Sequence, residues 1–284
     1  MINNYADFYH ELENYLARKV VNHHQNKRAN SPFMSYADLN GYFANASSPI
    51  PGQNGVLDIR YLFLRFCFHA QNATVISGVI KFEDNYQTIS DITHNFDINY
   101  VLVSYSNYRD IATELSSKLN KPLGKTIVRY AKAIYSAAKY LNQFPTYNTF
   151  IDAHLHYGEL APTAIGYNVD GMKDTLACDF LKEVDARFDI CKPDVHVKKC
   201  ISRFCDLESA TGDRLLYLVR KNCTHICDQI NALIPGLGLT VYKLDKMLYL
   251  ICTEHFYMHD KIKNHGSTKR EIFIDHLINL RIVR

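Results

Sequence analysis

Apolar residues recur at helical spacing through most of this 284-residue chain, and this period constrains the fold more than any other feature. It predicts a buried helix over residues 57–70 and a long amphipathic helix over residues 123–142. The same period predicts further helices over residues 5–20, 108–119, 174–185, 194–206, 212–233, 243–258 and 268–282. No internal repeat or coiled coil is evident, so we predict an all-α fold.

Two stretches depart from this period. Residues 72–82, NATVISGVIKF, carry β-branched residues that would suit a strand, but they directly follow a predicted helix, and we expect that helix to continue through them. Residues 30–55 are rich in Asn, Ser, Pro and Gly, which is typical of a connector. We therefore predict a helical and loop-rich N-terminal extension over residues 1–55 and one helical domain over residues 56–284.

Composition predicts an ordinary globular protein. Hydrophobic residues make up 47% of the chain and charged residues 21%, which is ample for a buried core. No apolar run approaches the ~18 residues of a membrane span, and no signal peptide is evident. We expect a cytoplasmic monomer with no membrane partner. A net charge of +3 permits a polyanionic partner without requiring one.

The eight cysteines do not follow the spacing of a zinc ribbon. Cys223 and Cys227 could share one helix face, and His154/His156 and His255/His259 are two further candidate pairs. Without a secretion signal, reduced thiols that pack in the core are the simpler interpretation. We predict no metal site.

Two glycines bracket a polar turn before one of the predicted helices. Gly166 and Gly171 precede a helix that restarts at Asp174 or Thr175. The N-terminus of such a helix offers backbone N–H groups and the positive end of the macrodipole, which together suit a phosphate. The alternative is an ordinary helix connection that needs glycine for a positive φ angle.

Asp194 follows Pro193 directly and begins the next predicted helix. A carboxylate held at a helix start is placed to stabilise positive charge on a reacting sugar and to activate a water molecule. The alternative is an ordinary aspartate N-cap, which the same proline and helix would also produce.

In these two segments the sequence resembles the helix–hairpin–helix DNA glycosylases, the superfamily of endonuclease III and the adenine-mispair glycosylases. The stretch GMKDTLACDFLKEVDARFDICKPDVHVKKC is similar to their hairpin followed by a catalytic aspartate in V-D-T-H-I-x-R. Asp194, Val195, His196 and Val197 match that motif in order, with Val195 in place of its Thr and Lys199 in place of its Arg.

A second match lies upstream, where FLRFCFHAQNATV is similar to the family's LLSAQATD helix end. The resemblance covers roughly residues 57–210. It implies a hairpin over about 160–185, a catalytic segment over about 191–206 and an active-site cleft between two helical lobes. The C-terminal run LDKMLYLICTEHFY is expected to return and pack on the N-terminal part.

The resemblance implies a monofunctional DNA glycosylase without a cofactor. Bifunctional members carry a lysine just before the Ala of the hairpin helix and attack C1′ with its amine. Here the residue two before Ala177 is Thr175, and an alignment shifted by two would offer Lys173 but would spoil the match at Ala177. The four-cysteine iron–sulfur pattern of many members is also absent. Asp194 would then use water to hydrolyse the N-glycosidic bond and leave an abasic site.

The resemblance also implies roles for other residues on double-stranded DNA that contains a modified base. Gln71 and Asn72 would act in base flipping and intercalation. The expected backbone contacts are Gly166, Gly171, Lys173, Thr175, Lys192, Lys198 and Lys199. The expected base pocket is Phe68, His69, His196 and Tyr257.

The target base stays open. A hypermodified base of phage DNA would make the protein an anti-phage defence enzyme, whereas an alkylated or oxidised base would make it a repair enzyme. Two other classes also stay open: an enzyme of the same fold that processes modified thymine in phage DNA, and a non-catalytic DNA-binding module in which Asp194 is only a cap.

Overall fold

The computed structural model describes residues 1–25, 57–71, 76, 80–253 and 267–284. Every regular element within these ranges is helical, apart from one antiparallel bridge between Ile2 and Val283. The predicted all-α class is confirmed. None of the described helices is long and apolar enough to cross a membrane.

The helices are, in chain order, α1 (Tyr5–Gln25), α2 (Ile59–Ala70), α3 (Tyr86–Ile92), α4 (Ile98–Ser104), α5 (Tyr108–Lys118), α6 (Lys125–Leu141), α7 (Tyr147–Tyr157), a 3-10 turn (Gly158–Leu160), α8 (Ala161–Asn168), α9 (Asp174–Val184), α10 (Val195–Phe204), α11 (Gly212–Leu233), α12 (Val241–Thr253) and α13 (Ser267–Asn279). The described residues fall into two compact units, one within Ser48–Phe188 and the other within Met1–Ser47 and Asp189–Arg284.

The unit within Ser48–Phe188 is built around α6, whose apolar face packs against α2, α4 and α5. An aromatic cluster joins α2, α7 and α9: Phe66 stacks on Phe180 with ring centroids 3.9 Å apart, and Phe150 meets both rings edge-on. The buried Tyr130 hydroxyl donates to the Cys67 carbonyl at 2.9 Å. Large aromatic burial of this kind holds α9 firmly in place.

In the other unit α1 packs against α11 and α12, and α10 packs against α11, α12 and α13. Phe8 of α1 meets Phe204 of α10 edge-on, with ring centroids 5.3 Å apart. The predicted return of the C-terminal run onto the N-terminal part is confirmed for its described portion, since α12 packs against α1.

The two compact units do not correspond to the predicted division of the chain at residue 55. The apolar face of α1, with Phe8, Leu12 and Leu16, is buried in the same core as the C-terminal helices, so α1 is not a separate extension. The predicted connector over residues 30–55 lies outside the described residues.

The predicted continuation of the helix over residues 57–70 into 72–82 is wrong where it can be followed. The helix α2 ends at Ala70, and Ile80 and Lys81 are not helical. Residues 72–75 and 77–79 lie outside the described residues. The sequence also did not predict α3, α4 and α7. The first two have seven residues each, which is too short for a helical period to show.

Candidate functional site

Asp194 is the N-cap of α10. Its Oδ1 accepts the amide N–H groups of His196 at 2.7 Å and of Val197 at 2.8 Å. Its Oδ2 accepts no hydrogen bond from the part of the chain that the structure describes. A capping role and a catalytic role, which are alternatives in the sequence, would therefore use different oxygens of one carboxyl group and are compatible.

The surroundings of Asp194 raise the pKa of its carboxyl group. Burial is the largest cause, and the charge of Asp245 raises the pKa further. The amide N–H groups of Val197 and His196 act in the opposite direction, as does the His196 ring. A carboxylate whose charged form is disfavoured in this way binds a proton or a nearby positive charge more strongly than an exposed one.

The segment that leads into Asp194 is held against α12. Both carboxylate oxygens of Asp189 accept N–H groups of the first turn of α12, those of Val241 and Tyr242, each at 2.7 Å. In return, Oδ2 of Asp245 accepts the Lys192 N–H at 3.0 Å. The segment that carries the Asp194 carboxyl group is therefore fixed by backbone hydrogen bonds rather than carried on a loose loop.

His196 and Tyr249 stand beside this segment. The His196 ring is buried and meets Tyr249 edge-on, with centroids 6.3 Å apart. Lys246 places its Nζ 5.7 Å from the centre of the Tyr249 ring. His196 is close enough to lower the pKa of Asp194, and its base-pocket role stays a prediction. The other predicted pocket residue near the C-terminus, Tyr257, lies outside the described residues.

Sequence analysis did not single out Asp189 or Asp245. A signal existed for Asp245: it is acidic, but it stands three residues before Leu248 and four after Val241, on the apolar face of α12. An acidic residue on a buried face requires a hydrogen-bond donor nearby, and the Lys192 amide supplies one.

The predicted helix, glycine hairpin and helix are present as α8, residues 169–173 and α9. Gly171 has φ +80°, a left-handed conformation that favours glycine. A Cβ on Gly166 would lie 3.3 Å from the Met172 carbonyl oxygen, so glycine there lets α8 approach the turn closely. Ser136 of α6 supports the hairpin by accepting the Asp170 N–H at 2.9 Å.

The first turn of α9 has unused donors. Lys173 is its N-cap residue and makes no side-chain capping bond. The amide N–H groups of Lys173 and Thr175 donate to no residue among those that the structure describes. Amides at a helix N-terminus that have no described acceptor, next to the exposed residue Lys173, suit an anion such as a DNA phosphate.

Thr175 is the second residue of α9 and is half-buried, whereas Lys173 precedes the helix and is exposed. The hydroxyl of Thr175 cannot form a Schiff base. The remaining lysines differ in surroundings. Lys192 and Lys198 are half-buried, and Lys199 lines a surface groove between α10 and α13 that also contains Glu208 and Glu271.

Gln71 does not have the exposed position that intercalation requires. It follows the last residue of α2 and is 5% exposed. Its side-chain carbonyl accepts the Phe82 N–H, and its amide group donates to Glu83 at 3.5 Å. It therefore closes a turn between α2 and residues 80–83, and inserting it into DNA would break these bonds. Asn72 lies outside the described residues.

His69 and Phe68 belong to a packed charged cluster rather than to an open pocket. His69 is 2% exposed, and its Nε2 lies 3.0 Å from the Glu183 carboxylate. Arg65 forms an ion pair with the same carboxylate and covers the Phe68 ring, with 4.5 Å from its guanidinium carbon to the ring centre. The predicted pocket role of His69 is therefore wrong for this conformation, because its ring is enclosed by α9.

The eight cysteines are thiols rather than disulfides, and all but Cys205 are buried. Cys223 and Cys227 lie in the core on α11, as their apolar interpretation predicts. Within the described ranges no group of three or more His, Cys, Asp or Glu side chains could hold a metal ion.

No protein-family model matches this chain, and no curated protein does. Solved structures of similar fold include the 8-oxoguanine DNA glycosylase of Thermotoga maritima, with 15% identity and a TM-score of 0.47 over 87% of this chain and 99% of that one. The 8-oxoguanine DNA glycosylase of Methanocaldococcus jannaschii is also similar, with 14% identity and a TM-score of 0.45 over 90% of this chain and 100% of that one.

A further structure of an M. jannaschii enzyme, an 8-oxoguanine glycosylase/lyase bound to a 15mer DNA containing 8-oxoguanine, is 12% identical with a TM-score of 0.45, and the match covers 85% of this chain and 98% of that one. All three are DNA glycosylases, the class of enzyme that the sequence resembles. With scores below 0.5 the likeness carries no weight for the reaction, which has to be inferred from the residues of this chain.

Proposed function

We propose that this protein is a monofunctional DNA glycosylase, acting as a cytoplasmic monomer. It flips a modified or damaged base out of double-stranded DNA and hydrolyses its N-glycosidic bond, which leaves an abasic site. The observation that carries this proposal is the state of Asp194: one carboxylate oxygen is fixed by the start of α10, the other has no described donor, and the pKa of the group is raised.

Asp194 would act on the charge that develops as the bond breaks. The C1′–N bond cleaves with its electron pair going to the base, and positive charge spreads over C1′ and the ring oxygen of the sugar. The carboxylate stabilises that charge and then accepts a proton from the water that bonds to C1′. The departing base takes up a proton in turn. The products are the free base and the abasic sugar.

The reaction should stop at the abasic site. A second step that cuts the strand requires an amine to attack C1′ and form a Schiff base. The hairpin helix has Thr175 at the matching position, and Lys173 lies before the helix on an exposed turn. We therefore infer water as the nucleophile and no cofactor.

The hairpin would bind DNA through the phosphates of the DNA backbone. Gly166 and Gly171 shape the turn, and the amides of Lys173 and Thr175 would donate to a phosphate. Lys192, Lys198 and Lys199 would add charge around the catalytic segment. For the flipped base we infer His196, which lies close enough to Asp194 to lower its pKa, and Tyr249, whose ring meets His196 edge-on.

One alternative has a specific observation in its favour. The Asp194 carboxylate caps α10 with two backbone bonds, which is a sufficient structural reason for an aspartate there. On this alternative the protein is a DNA-binding module and releases no base.

The deciding experiment is base release from duplexes that contain uracil, 8-oxoguanine, an alkylated base or a phage-type hypermodified base, with Asp194→Asn as the matched control. The proposal expects wild type, but not the variant, to release one of these bases, with strand breaks only after alkali. Equal salt-sensitive DNA binding by both proteins, without release from any duplex, would instead establish the binding module. A requirement for pyrophosphate or a second substrate would indicate a transfer enzyme.

A further inference from the structure

Two aspartates join the catalytic segment to α12, one contributed by each side. Asp189 reaches from the segment to the N-terminus of α12, and Asp245 reaches from the second turn of α12 back to the segment. The first contact is an ordinary helix cap, because the N–H groups of a first turn lack partners within the helix. The second contact is unusual, because it takes an acidic side chain on the buried face of a helix.

Lys192 connects Asp245 to Asp194. Its N–H donates to Oδ2 of Asp245 at 3.0 Å, and its carbonyl accepts the Asp194 N–H at 2.7 Å. Cys191 and Pro193 on either side are buried, so the peptide units here have little freedom. Moving Asp245 would therefore shift the backbone from which the Asp194 carboxylate projects.

We propose that Asp245 is a positioning residue for Asp194: it holds the Lys192 peptide unit and faces the reacting carboxylate with a second negative charge. This proposal builds on the proposed function, since it assigns a role at the same site. Asp245 acts through Asp194 and is not itself a catalytic residue.

Asp245 brings a negative charge to this site as well as a hydrogen-bond acceptor. Asp245 is 2% exposed, and burying a carboxylate is unfavourable even when it accepts a backbone bond. An asparagine of the same shape could accept the Lys192 N–H without that penalty. The carboxylate also acts on Asp194, whose pKa its charge raises in addition to burial.

Other titratable groups face this pair from each neighbouring helix. On α10, His196 lowers the pKa of Asp194, and Cys200 interacts with the Asp194 charge. The helix α11 contributes the buried Arg220 and Cys223. The helix α13 contributes Arg270, whose charge acts on Cys200. Replacing Asp245 alone leaves all of these in place.

Asp245→Asn tests the charge, and Asp245→Ala tests the hydrogen bond. In Asp245→Asn the acid limb of the pH profile of base release should move to lower pH, because one cause of the raised pKa of Asp194 is removed. Asp245→Ala should in addition lower kcat about ten- to hundredfold with little change in KM, because the reacting carboxylate is displaced. Asp245→Ser, smaller and still carrying an oxygen, replaces the asparagine variant if that variant does not fold.

Asp189→Asn is the matched control, because it weakens the reciprocal contact with α12 without touching the Asp194 charge. It should lower Tm and leave the acid limb where it is in wild type. An equal shift of the limb in both variants, or no shift in Asp245→Asn, would overturn the proposal.

A second measurement keeps this inference separate from the proposed function. The carboxyl carbon of Asp194 can be titrated by NMR in wild type, Asp245→Asn and Asp189→Asn, with Asp194→Asn to assign the signal. A lower titration midpoint in Asp245→Asn alone supports the inference even if wild type releases no base, in which case only the proposed function fails. Coinciding midpoints in wild type and Asp245→Asn reject the inference even if wild type is an active glycosylase.

Discussion

Val197 donates its amide N–H to Oδ1 of Asp194 at 2.8 Å, so the proposed catalytic residue is also the cap of the helix that follows it. Because the cap uses only one oxygen, substitutions can separate the structural role of Asp194 from its chemical role.

Asp194→Asn should be at least as stable as wild type at pH 7, whereas Asp194→Ala should lose about 1 kcal/mol of the free energy of unfolding. Asparagine keeps an oxygen for the two amides and removes a charge that burial disfavours. The pKa of Asp194 is raised above its ordinary value of 3.8, so the carboxyl stabilises wild type most at low pH and this contribution is lost as the pH rises through the raised pKa. Urea denaturation of the three proteins at pH 3.5 and pH 7 measures both effects. Equal losses in the two variants would contradict this account of the cap.

The rate of base release by wild type should decrease as the pH is lowered, because the reaction requires ionised Asp194. The midpoint of this decrease should lie above pH 3.8, the ordinary pKa of an aspartate, because the pKa of Asp194 is raised. The profile of kcat/KM against pH measures the position of this limb. DNA binding should be compared at the same pH values, since a parallel loss of binding would assign the limb to phosphate contacts instead.

Gly171→Ala should weaken DNA binding, and Gly236→Ala should not. Both glycines have left-handed backbones, with φ +80° and φ +83°, so alanine should cost about 1–2 kcal/mol of stability at either site. Only Gly171 shapes the hairpin whose amides would bind phosphate. Fluorescence anisotropy with duplex DNA at two salt concentrations, together with denaturation curves, separates the two effects. Equal affinities in the two variants would remove the hairpin from the proposed interface.

Wild type should form no covalent complex with DNA when borohydride is present. Borohydride traps a Schiff base between an amine and C1′, and neither Thr175 nor the exposed Lys173 is expected to supply that amine. Gel electrophoresis of the trapped mixture tests this. A trapped complex that disappears in Lys173→Ala would instead make the enzyme bifunctional and assign the amine to Lys173.

Glu183→Gln should lower the free energy of unfolding by about 1–3 kcal/mol, because it leaves the buried Arg65 without its counter-ion and weakens the bond to His69. The loss should be smaller than for a fully enclosed ion pair because the Glu183 side chain is 36% exposed to solvent. Glu208→Gln is the control: its pairing with Arg203 is exposed on both sides and should be worth under about 1 kcal/mol. Equal changes would show that the Arg65 cluster contributes nothing special to stability.

Long apolar periods predicted several helices closely. The predicted segments 108–119 and 212–233 correspond to α5 and α11 within a residue or two. The glycine hairpin and the Asp194 cap could also be recognised in the sequence, because glycines and an aspartate after proline are local signals. Asp194 could be selected as the candidate residue on those grounds together with the family resemblance.

What the sequence by itself determined is therefore local: which segments are helical, where α9 and α10 begin, and which carboxylate stands at a helix start. Only the tertiary structure decided the surroundings of these groups. Gln71 and His69 are near the predicted motif in sequence, but packing against residues 80–83 and α9 buries them. Asp245 is 51 residues from Asp194 along the chain, and only the packing of α10 against α12 brings its charge to the site. Periodicity and capping act over a few residues, whereas burial and charge act between segments that the folded core brings together.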